Sequence, residues 1–472
     1  MTTQEAVLIR GARLLDPSAG VDQEGDILLV DGRIHQIGGT VRDGDVPPGC
    51  HVIPGAGLLT CPGFIDLHTH LRDPGYEHKE TVATGVMAAA RGGFTTICCM
   101  PNTNPPMDTV SVVEYVLRRA REANGVRVLP IGCVTKGRAG KELAEMWELA
   151  QAGVVAFSDD GSPVSDVHLM RQALTYTKGL GLPVINHCQD MGLAQGGVVN
   201  EGWVSGYLGL RAWPPAAEEV MAARDIALAE LTGGRLHLAH LSTAGSVELV
   251  RCAKERGVPV TAEVAPHHLT LDEAWVLGHG PDGALTGHLT AAAYDTYAKV
   301  NPPLRTQKDI EALVAGLRDG VIDAVATDHA PHAITDKMVT FDEAEFGISG
   351  LETAVGALLG LVHRGDLSMK VLVERLTAGP VGVLGDKFKH LGTLRQGAPA
   401  DVVLIDPQWE WTVKAGEFAS KGKNTPLEGV TLKGRVMVTI AEGRLVYSGL
   451  PQHEEVQHAA GGSGSSGSRR GR

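Results

Sequence analysis

The chain has 472 residues, of which 43% are hydrophobic, and its formal net charge is -13, from 42 Lys and Arg against 55 Asp and Glu. This length predicts a large buried core and about two to three domains, or fewer if one of them is an α/β barrel. The acidic balance and the lack of a basic stripe argue against a nucleic-acid partner. No window contains the roughly eighteen consecutive apolar residues of a membrane span, so no membrane segment is expected.

The seven cysteines are odd in number and include no Cys-x-x-Cys pair. Several of them lie in apolar, strand-like stretches, which is typical of buried, reduced thiols. The first residues, Met1 to Glu5, have neither a charged leader region nor a long apolar run. We therefore expect a soluble, cytoplasmic protein.

Both ends of the chain have the pattern of short β-strands. Apolar pieces alternate with turn signals over residues 5–57, where Asp31-Gly32 marks a hairpin, and again over residues 400–447, where Glu442-Gly443 marks another. Neither end alone has enough strands to form a stable sheet. We predict one small β-sandwich domain made from residues 1–57 and 391–455, the alternative being two unrelated hairpins. The Gly, Ser and Arg composition of residues 456–472 predicts a flexible tail.

The middle of the chain, residues 58–390, alternates apolar runs with helical patterns. The predicted helices are 81–91, 110–123, 141–151, 215–231, 246–255 and 307–318. The eight predicted strands are 57–65, 95–100, 126–131, 154–158, 183–187, 236–240, 258–262 and 324–328. Repeated strand–helix units of this size favour an α/β fold, a (β/α)8 barrel of the TIM type with loop insertions. An open, doubly wound sheet is the alternative, but no Gly-x-Gly-x-x-Gly follows an early strand.

Polar side chains follow six of the eight predicted strands. They are His68, His70, Arg72, Asn102, Asp159, Asp160, Asn186, His187, His240, Asp328, His329 and His332. In a (β/α)8 barrel, the chemistry lies where the strands end. Residues two apart in a strand share a face, so His68 and His70 place two imidazoles near the spacing that zinc or a similar metal needs. Any one of these residues could instead be a helix cap or a satisfied polar group, but together they favour a metal site.

Four histidines and two carboxylates are the ligands that a two-metal centre requires. One carboxylate bridges the ions, and a hydroxide shared by them becomes a nucleophile at neutral pH because the metals lower its pKa. The other carboxylate, Asp328, would take the proton from that hydroxide and return it to a leaving nitrogen. Arg72 and Asn102 are placed to hold an anionic or amide-rich substrate, since Arg can bind a carboxylate through two hydrogen bonds.

Several stretches of the chain resemble motifs of the dihydroorotases, a family of the amidohydrolase superfamily. The similar stretches are 63–75, 100–106, 263–269, 300–305, 324–332 and 346–352. The resemblance covers nearly the whole chain up to about Gly449. It implies a zinc-dependent enzyme, with two zinc ions per subunit, that interconverts N-carbamoyl-L-aspartate and (S)-dihydroorotate in pyrimidine biosynthesis.

The resemblance also implies a role for individual residues. One zinc ion would be held by His68, His70 and Asp328, and the other by His187 and His240. In the bacterial type that this chain resembles, an aspartate bridges the metals in place of a carboxylated lysine, and Asp160 fits that place better than Asp159. The implied substrate contacts are Arg72, Asn102, Asn301 and His332, with the backbone of Phe346 and Gly347. Asp328 would also be the general acid and base.

Two features depart from the family pattern. Residues 188–190, which follow His187, read Cys-Gln-Asp where the family commonly has an acidic residue first. The segment 278–296 is longer than the family pattern and is rich in Gly and Ala. Its histidines, His279 and His288, are predicted to be exposed loop residues, and a longer loop here could alter the surroundings of Asn301.

Three further histidines are expected to play no direct part in metal binding. His267 and His268 follow the seventh strand, and we predict a structural role or a role as outer partners of metal-bound histidines. His329 follows Asp328 directly and should point to the other face of the strand, because side chains alternate.

Two alternatives stay open. The first is an allantoinase or hydantoinase, but these generally use a carboxylated lysine as the metal bridge. The nearest candidate here is Lys136, which we interpret as a surface charge after strand three. The second is a non-catalytic structural partner of aspartate transcarbamoylase, disfavoured because every expected ligand is present. An active chain could still assemble with that enzyme, or with further copies of itself.

Overall fold

The computed structural model describes residues 6–278, 290 and 292–451. The predicted flexible tail and the two loop histidines, His279 and His288, lie outside the described residues. Within the described ranges, a parallel barrel is joined to a separate sheet made from both ends of the chain.

Strands predominate at both ends of the chain, and strands alternate with helices between them. The strands are β1 Ala6–Asp16, β2 Val21–Val30, β3 Arg33–Ile37, β4 His51–Pro54, β5 Leu59–Pro62, β6 Phe64–Thr69, β7 Phe94–Cys99, β8 Arg127–Gly132, β9 Ala156–Phe157, β10 Val184–Asn186, β11 Val199–Asn200, β12 Ala212–Trp213, β13 Leu236–Leu238, β14 Val260–Val264, β15 Ala324–Val325, β16 Val402–Thr412, β17 Thr431–Ala441 and β18 Arg444–Ser448. The α-helices are α1 Val82–Arg91, α2 Val110–Ala123, α3 Met146–Gln151, α4 Val167–Leu180, α5 Met191–Ala194, α6 Trp203–Leu208, α7 Ala216–Thr232, α8 Ala244–Glu255, α9 Pro266–Thr270, α10 Gln307–Asp319, α11 Ile334–Lys337, α12 Ala354–Arg364, α13 Met369–Leu376 and α14 Ala378–Leu384. Short 3-10 helices lie at Asp43–Asp45, Lys136–Arg138, Glu273–Leu277, Thr296–Ala298, Asp386–Phe388 and Ala415–Glu417.

The barrel is a parallel sheet of eight strands in the order β6, β7, β8, β9, β10, β13, β14 and β15. Its two edges approach each other through a bridge between Thr69 and His329, and His70 N donates to His329 O over 2.9 Å. Next to this bridge, the carboxylate of Asp66 accepts hydrogen bonds from the backbone N and the hydroxyl of Thr327, at 3.0 and 2.5 Å. The sheet is therefore nearly closed, and the predicted (β/α)8 barrel is confirmed with all eight of its strands.

The barrel strands bury both of their faces. In β6, Ile65 and Leu67 contribute to an apolar cluster inside the barrel, which α14 covers with residues such as Leu384. Phe64, on the opposite face, packs with Phe94 in the layer between strands and helices, with ring centroids 6.0 Å apart. Burial on both sides explains why these strands are continuous apolar runs, since alternation is needed only where one face meets water.

Strands from both ends of the chain form the second sheet. Its order is β18, β17, β16, β5, β1, β2 and β3, and β4 also pairs with β1. Residues such as Leu14, Ile27, Leu404 and Val438 fill its apolar core. The predicted β-sandwich made from both termini is confirmed.

The apolar stretch 57–65 is divided between the two sheets rather than forming one strand. Residues Leu59–Pro62 pair with β1 and β16 in the terminal sheet, and the barrel begins at Phe64. The division falls at Gly63, whose N donates to Asp401 O over 2.8 Å. A Cβ atom at this position would lie 2.2 Å from Thr95 Oγ1, so glycine is required where the chain passes from one sheet to the other.

The six predicted helices are present, and they agree with the structure to within two residues except at the start of α3. The predicted helix 141–151 begins only at Met146, because the preceding residues fold back on the chain after β8. Thr135 forms a bridge with Leu143, and Ala144 N donates to Val134 O over 2.9 Å. No helix within the described ranges is both long enough and apolar enough to cross a membrane.

Candidate active site

Six ionisable side chains converge at the carboxyl ends of the barrel strands. They are His68 and His70 at the end of β6, Asp160 after β9, His187 after β10, His240 after β13 and Asp328 after β15. None of them is more than 5% exposed. The carboxyl ends of parallel strands meet at one edge of the barrel, so residues distant in sequence are brought together there.

Asp160 lies at the centre of this cluster. Its Oδ2 is 3.3 Å from His68 Nε2 and 3.5 Å from His70 Nε2. Its Oδ1 is 3.4 Å from His240 Nε2 and 3.5 Å from His187 Nδ1. Each carboxylate oxygen therefore faces one pair of histidines, which is the arrangement that a carboxylate bridging two metal ions needs.

Asp328 faces only the first pair of histidines. Its Oδ1 is 3.1 Å from His70 Nε2 and 3.5 Å from His68 Nε2. Donor atoms of His68, His70 and Asp328 all lie within 4.8 Å of one another, as do those of His68, Asp160 and His240. Two overlapping groups of possible ligands thus share His68.

Hydrogen bonds at the outer edge of the cluster fix the direction of three imidazoles. The outer nitrogens of His68, His70 and His187 each lie next to an acceptor oxygen: Glu263 Oε1 at 2.8 Å, Asn102 Oδ1 at 2.9 Å and Gln189 Oε1 at 2.9 Å. These outer nitrogens must carry the proton, because a carboxylate or amide oxygen only accepts. In the neutral rings, the lone pairs therefore point inward, as in metal-binding histidines.

The electrostatics of His68 fit a bound cation. Its Nε2 is buried and has no hydrogen-bond partner within the described part of the chain, although it faces Asp160 and Asp328. Burial lowers the pKa of His68, but these two carboxylates raise it well above its usual range. The raised pKa shows that this position favours positive charge, which a proton supplies in the metal-free chain and a metal ion bound to the neutral ring would supply instead, so the residues present fit a metal ion.

Glu263 has a positioning role that the sequence motif alone did not reveal. This carboxylate in β14 lies 2.8 Å from His68 Nδ1 and 3.0 Å from His237 Nε2. Burial raises its pKa, but hydrogen bonds from His237 and His68 lower the pKa of Glu263 to about 2. The one signal in the sequence is a lone carboxylate inside an apolar strand, which is rarely buried without a partner.

The predicted substrate residues border the metal-ligand cluster on loops beyond the strands. Arg72 is half-buried, its Nε donates to Pro331 O over 3.3 Å, and its Nη2 lies 3.4 Å from His332 Nε2. Asn102 contacts the metal-ligand cluster through the hydrogen bond between its Oδ1 and His70 Nδ1. Asn301 Nδ2 donates to Gln189 Oε1 over 3.1 Å, which leaves Asn301 Oδ1 buried without a hydrogen-bond partner among the described residues.

His332 is held between a cation and a backbone carbonyl. Its Nε2 donates to Phe346 O over 2.8 Å, and Lys79 Nζ lies 3.3 Å from its Nδ1. Burial and the nearby charges of Arg72, Lys337 and Lys79 hold the pKa of His332 far below its usual range. His332 is therefore neutral, with its proton on the nitrogen that faces Phe346.

The backbone of Phe346 and Gly347 already has partners inside the protein. Phe346 O accepts from His332, and Gly347 N donates to Lys299 O over 2.9 Å. Gly347 has a φ of 144°, and a Cβ atom there would lie 2.6 Å from Ala330 O. The loop is thus packed tightly against the residues that follow β15.

Several polar residues near the site point elsewhere. Asp159 Oδ1 accepts from the backbone N of Val134 and Thr135, at 2.9 and 3.1 Å. His329 lies on the far side of its strand, where Nδ1 accepts from Gly350 N over 3.2 Å. Lys136 forms ion pairs with Glu142 and Glu145 on the surface.

The two histidines of α9 are buried beside the site. His268 Nε2 donates to Pro302 O over 2.9 Å and so holds the loop that carries Asn301. His267 is also buried, and its Nε2 has no hydrogen-bond partner within the described ranges. The contact of His268 is the structural role that the sequence predicts.

The eight-stranded barrel, with its cluster of four histidines around two carboxylates at the strand ends, defines the class of metal-dependent amidohydrolases. Solved structures of similar fold include L-hydantoinase (dihydropyrimidinase) from Arthrobacter aurescens, with a TM-score of 0.80 and 25% identity, covering 94% of this chain and 96% of that chain. D-hydantoinase (dihydropyrimidinase) from a Thermus species has a TM-score of 0.76 and 26% identity, covering 93% of this chain and 94% of that one.

Sequence comparison narrows this class to one family. The family model described as dihydro-orotase-like matches residues 57–246. A dihydroorotase from Pelotomaculum thermopropionicum is 50% identical over 441 residues, covering 93% of this chain and 98% of the relative. One from Citrifermentans bemidjiense is 47% identical over 441 residues, with coverage of 93% and 99%. The chain belongs to the dihydroorotase family and is a metal-dependent cyclic amidohydrolase, as its motifs predict.

Proposed function

We propose that the chain catalyses the reversible interconversion of N-carbamoyl-L-aspartate and (S)-dihydroorotate in de novo pyrimidine biosynthesis. The observation that carries this proposal is the carboxylate of Asp160 between two pairs of histidines, with Arg72 and His332 beside it. The cluster can bind metal, and the adjoining cation can bind the carboxylate that distinguishes dihydroorotate from uncharged cyclic amides.

We propose zinc as the metal, with two ions in each subunit. One ion would be held by His68, His70 and Asp328, the other by His187 and His240, and Asp160 would contact both. Imidazole nitrogens and carboxylate oxygens are common zinc ligands. When bound, such ions supply a nucleophilic hydroxide at neutral pH.

Asp328 is the proposed proton carrier. Burial raises its pKa, but the neighbouring His68, His70 and His240 hold the pKa of Asp328 well below its usual range, so it is ionised and can accept a proton. In the hydrolytic direction, it accepts the proton of the attacking water. It returns that proton to the ring nitrogen as the carbon–nitrogen bond breaks, and the reverse transfers operate in cyclisation.

The substrate would be held by the loops beyond the strands. Arg72 and the side-chain amide of Asn102 would donate to the substrate carboxylate, and His332 would contact the substrate beside them. Asn301, whose Oδ1 has no partner among the described residues, is placed to accept from a ring N–H. The backbone carbonyls of Phe346 and Gly347, each with a second lone pair beside the hydrogen bond that it already accepts, would complete the contacts with the ring amides.

A parallel assay with dihydroorotate, hydantoin and allantoin tests this function, with zinc content measured on the same sample. We expect turnover of dihydroorotate and a loss of at least about 10³-fold in kcat for Asp328→Asn, because the proton acceptor is removed. A preference for hydantoin or allantoin would contradict the proposed substrate. Turnover that persists in the Asp328→Asn variant would contradict the proposed role of this carboxylate.

Assembly and location are proposed from the resemblance and the composition. We propose a cytoplasmic homo-oligomer that can also bind aspartate transcarbamoylase. Size-exclusion chromatography of the chain, alone and mixed with that enzyme, tests both forms of assembly. A monomer peak for the chain alone would contradict the homo-oligomer, and an elution volume of the chain that does not change when the transcarbamoylase is added would contradict the complex.

A further inference from the structure

Three successive carbonyls in the loop after β15 are each held by a different buried side chain. The pairs are Lys337 Nζ to Glu345 O at 2.6 Å, His332 Nε2 to Phe346 O at 2.8 Å, and Asn424 Nδ2 to Gly347 O at 2.9 Å. His332 and Lys337, the last residue of α11, belong to the same connection after β15. Asn424 comes from a segment near the C-terminus, residues 418–425, between β16 and β17 of the terminal sheet.

The side-chain amide of Asn424 joins two parts of the substrate side. Its Nδ2 donates to Ala330 O at 3.0 Å and to Gly347 O at 2.9 Å. Its Oδ1 accepts from His332 N at 2.8 Å and lies 2.9 Å from the hydroxyl of Ser349. The opposite orientation of the amide would set its NH₂ group against the N–H of His332, so the assignment is unambiguous.

The segment 418–425 is packed tightly enough to act as a fixed support. A Cβ atom on Gly422 would lie 2.5 Å from Pro331 Cβ and 2.9 Å from His332 N. On its other side, Lys421 N donates to Glu80 Oε1 over 3.1 Å. Asn424 itself is only 1% exposed, so its hydrogen bonds are shielded from water.

We propose that Asn424 is a positioning residue for substrate binding. It acts through His332 and Gly347 and holds them at a fixed separation, so that the groups for the substrate carboxylate and for the ring amides are arranged before substrate arrives. This inference rests on the proposed function. None of the hydrogen bonds of the Asn424 side chain reaches a proposed metal ligand, so removing it should alter substrate binding rather than metal binding.

The test compares Asn424→Ala with a matched control, Thr439→Val. The hydroxyl of Thr439 also ties the C-terminal part of the chain to the barrel, through a hydrogen bond to Ala90 O at 2.7 Å, but it lies in the terminal sheet. For Asn424→Ala we expect KM for dihydroorotate to rise at least about tenfold while kcat and zinc content change little, since misplaced binding groups weaken substrate contacts. For Thr439→Val we expect a lower Tm and an unchanged KM.

Each outcome decides the inference. A KM for Asn424→Ala equal to that of the unmodified chain overturns it, and so does an equal rise in KM for both variants, which would indicate general destabilisation. If Asn424→Ala does not fold, Asn424→Asp keeps the shape and the acceptor but loses both donors, and it should also raise KM. An unmodified chain that binds zinc but does not turn over dihydroorotate would refute the proposed function, and this inference with it.

Discussion

The metal side and the substrate side of this site are built in different ways. The proposed metal ligands stand at or directly after the ends of barrel strands, so the closed sheet alone brings them together. The proposed substrate residues lie on loops, and distant partners hold them: Gln189 contacts Asn301, and Asn424 contacts the backbone of His332. Loops can change while a barrel and its metal site persist. This construction explains how the chain shares its fold with hydantoinases at 25% identity.

The largest expected effect comes from the centre of the metal side. Asp160→Asn should lose bound zinc and at least about 10³-fold of kcat, because an amide cannot bridge two cations as a carboxylate does. The matched control is Asp159→Asn, whose carboxylate accepts from Val134 N and Thr135 N instead. We expect this control to lower Tm while keeping the metal. Elemental analysis and steady-state kinetics check both variants. An equal loss of zinc in the two would contradict the proposal that Asp160, and not Asp159, contacts the metal.

A smaller effect is expected on the substrate side. Arg72→Lys should raise KM for dihydroorotate by about 100-fold with zinc content unchanged, because an ammonium cannot bind a carboxylate through two parallel hydrogen bonds. Lys136→Met, which removes a surface cation that pairs with Glu142, serves as the control and should leave KM unchanged. A loss of zinc in Arg72→Lys would show that the two sides are not separable.

The smallest expected effect concerns the support of the metal side. Glu263→Gln should weaken zinc affinity by about tenfold without unfolding the protein, because the hydrogen bond that orients His68 becomes weaker. The control is Glu352→Gln, a buried carboxylate that accepts from Ala419 N and Ser420 N, both at 3.0 Å. Competition with a coloured chelator measures both affinities. An affinity that stays the same in Glu263→Gln would remove the proposed role of this carboxylate.

The difference between residues at strand ends and residues on loops also decides which features of the molecule the sequence predicts. The barrel, its eight strands and the meeting of His68, His70, Asp160 and Asp328 at one edge follow from apolar runs that end in polar residues. The division of the predicted first strand at Gly63 does not follow from the sequence, because it depends on how closely Thr95 approaches Gly63 in the folded chain.

Contacts between distant segments set the limit of such predictions. Glu263 leaves a trace in the sequence as a carboxylate within an apolar strand, but its two histidine partners follow only from the closed barrel. No local sequence pattern indicates the role of Asn424, because the four residues that its side chain contacts by hydrogen bonds lie 75 to 94 residues earlier in the chain. Local patterns therefore predict the strand-end ligands better than the support of the loops.

The most direct test of the account is a zinc titration of metal-free protein, with dihydroorotate hydrolysis measured at each step. We expect activity to rise with bound zinc and to saturate at about two ions per chain, as a bridged pair of ions requires. Full activity of the metal-free protein would contradict this account, and so would zinc binding that leaves the protein inactive towards dihydroorotate.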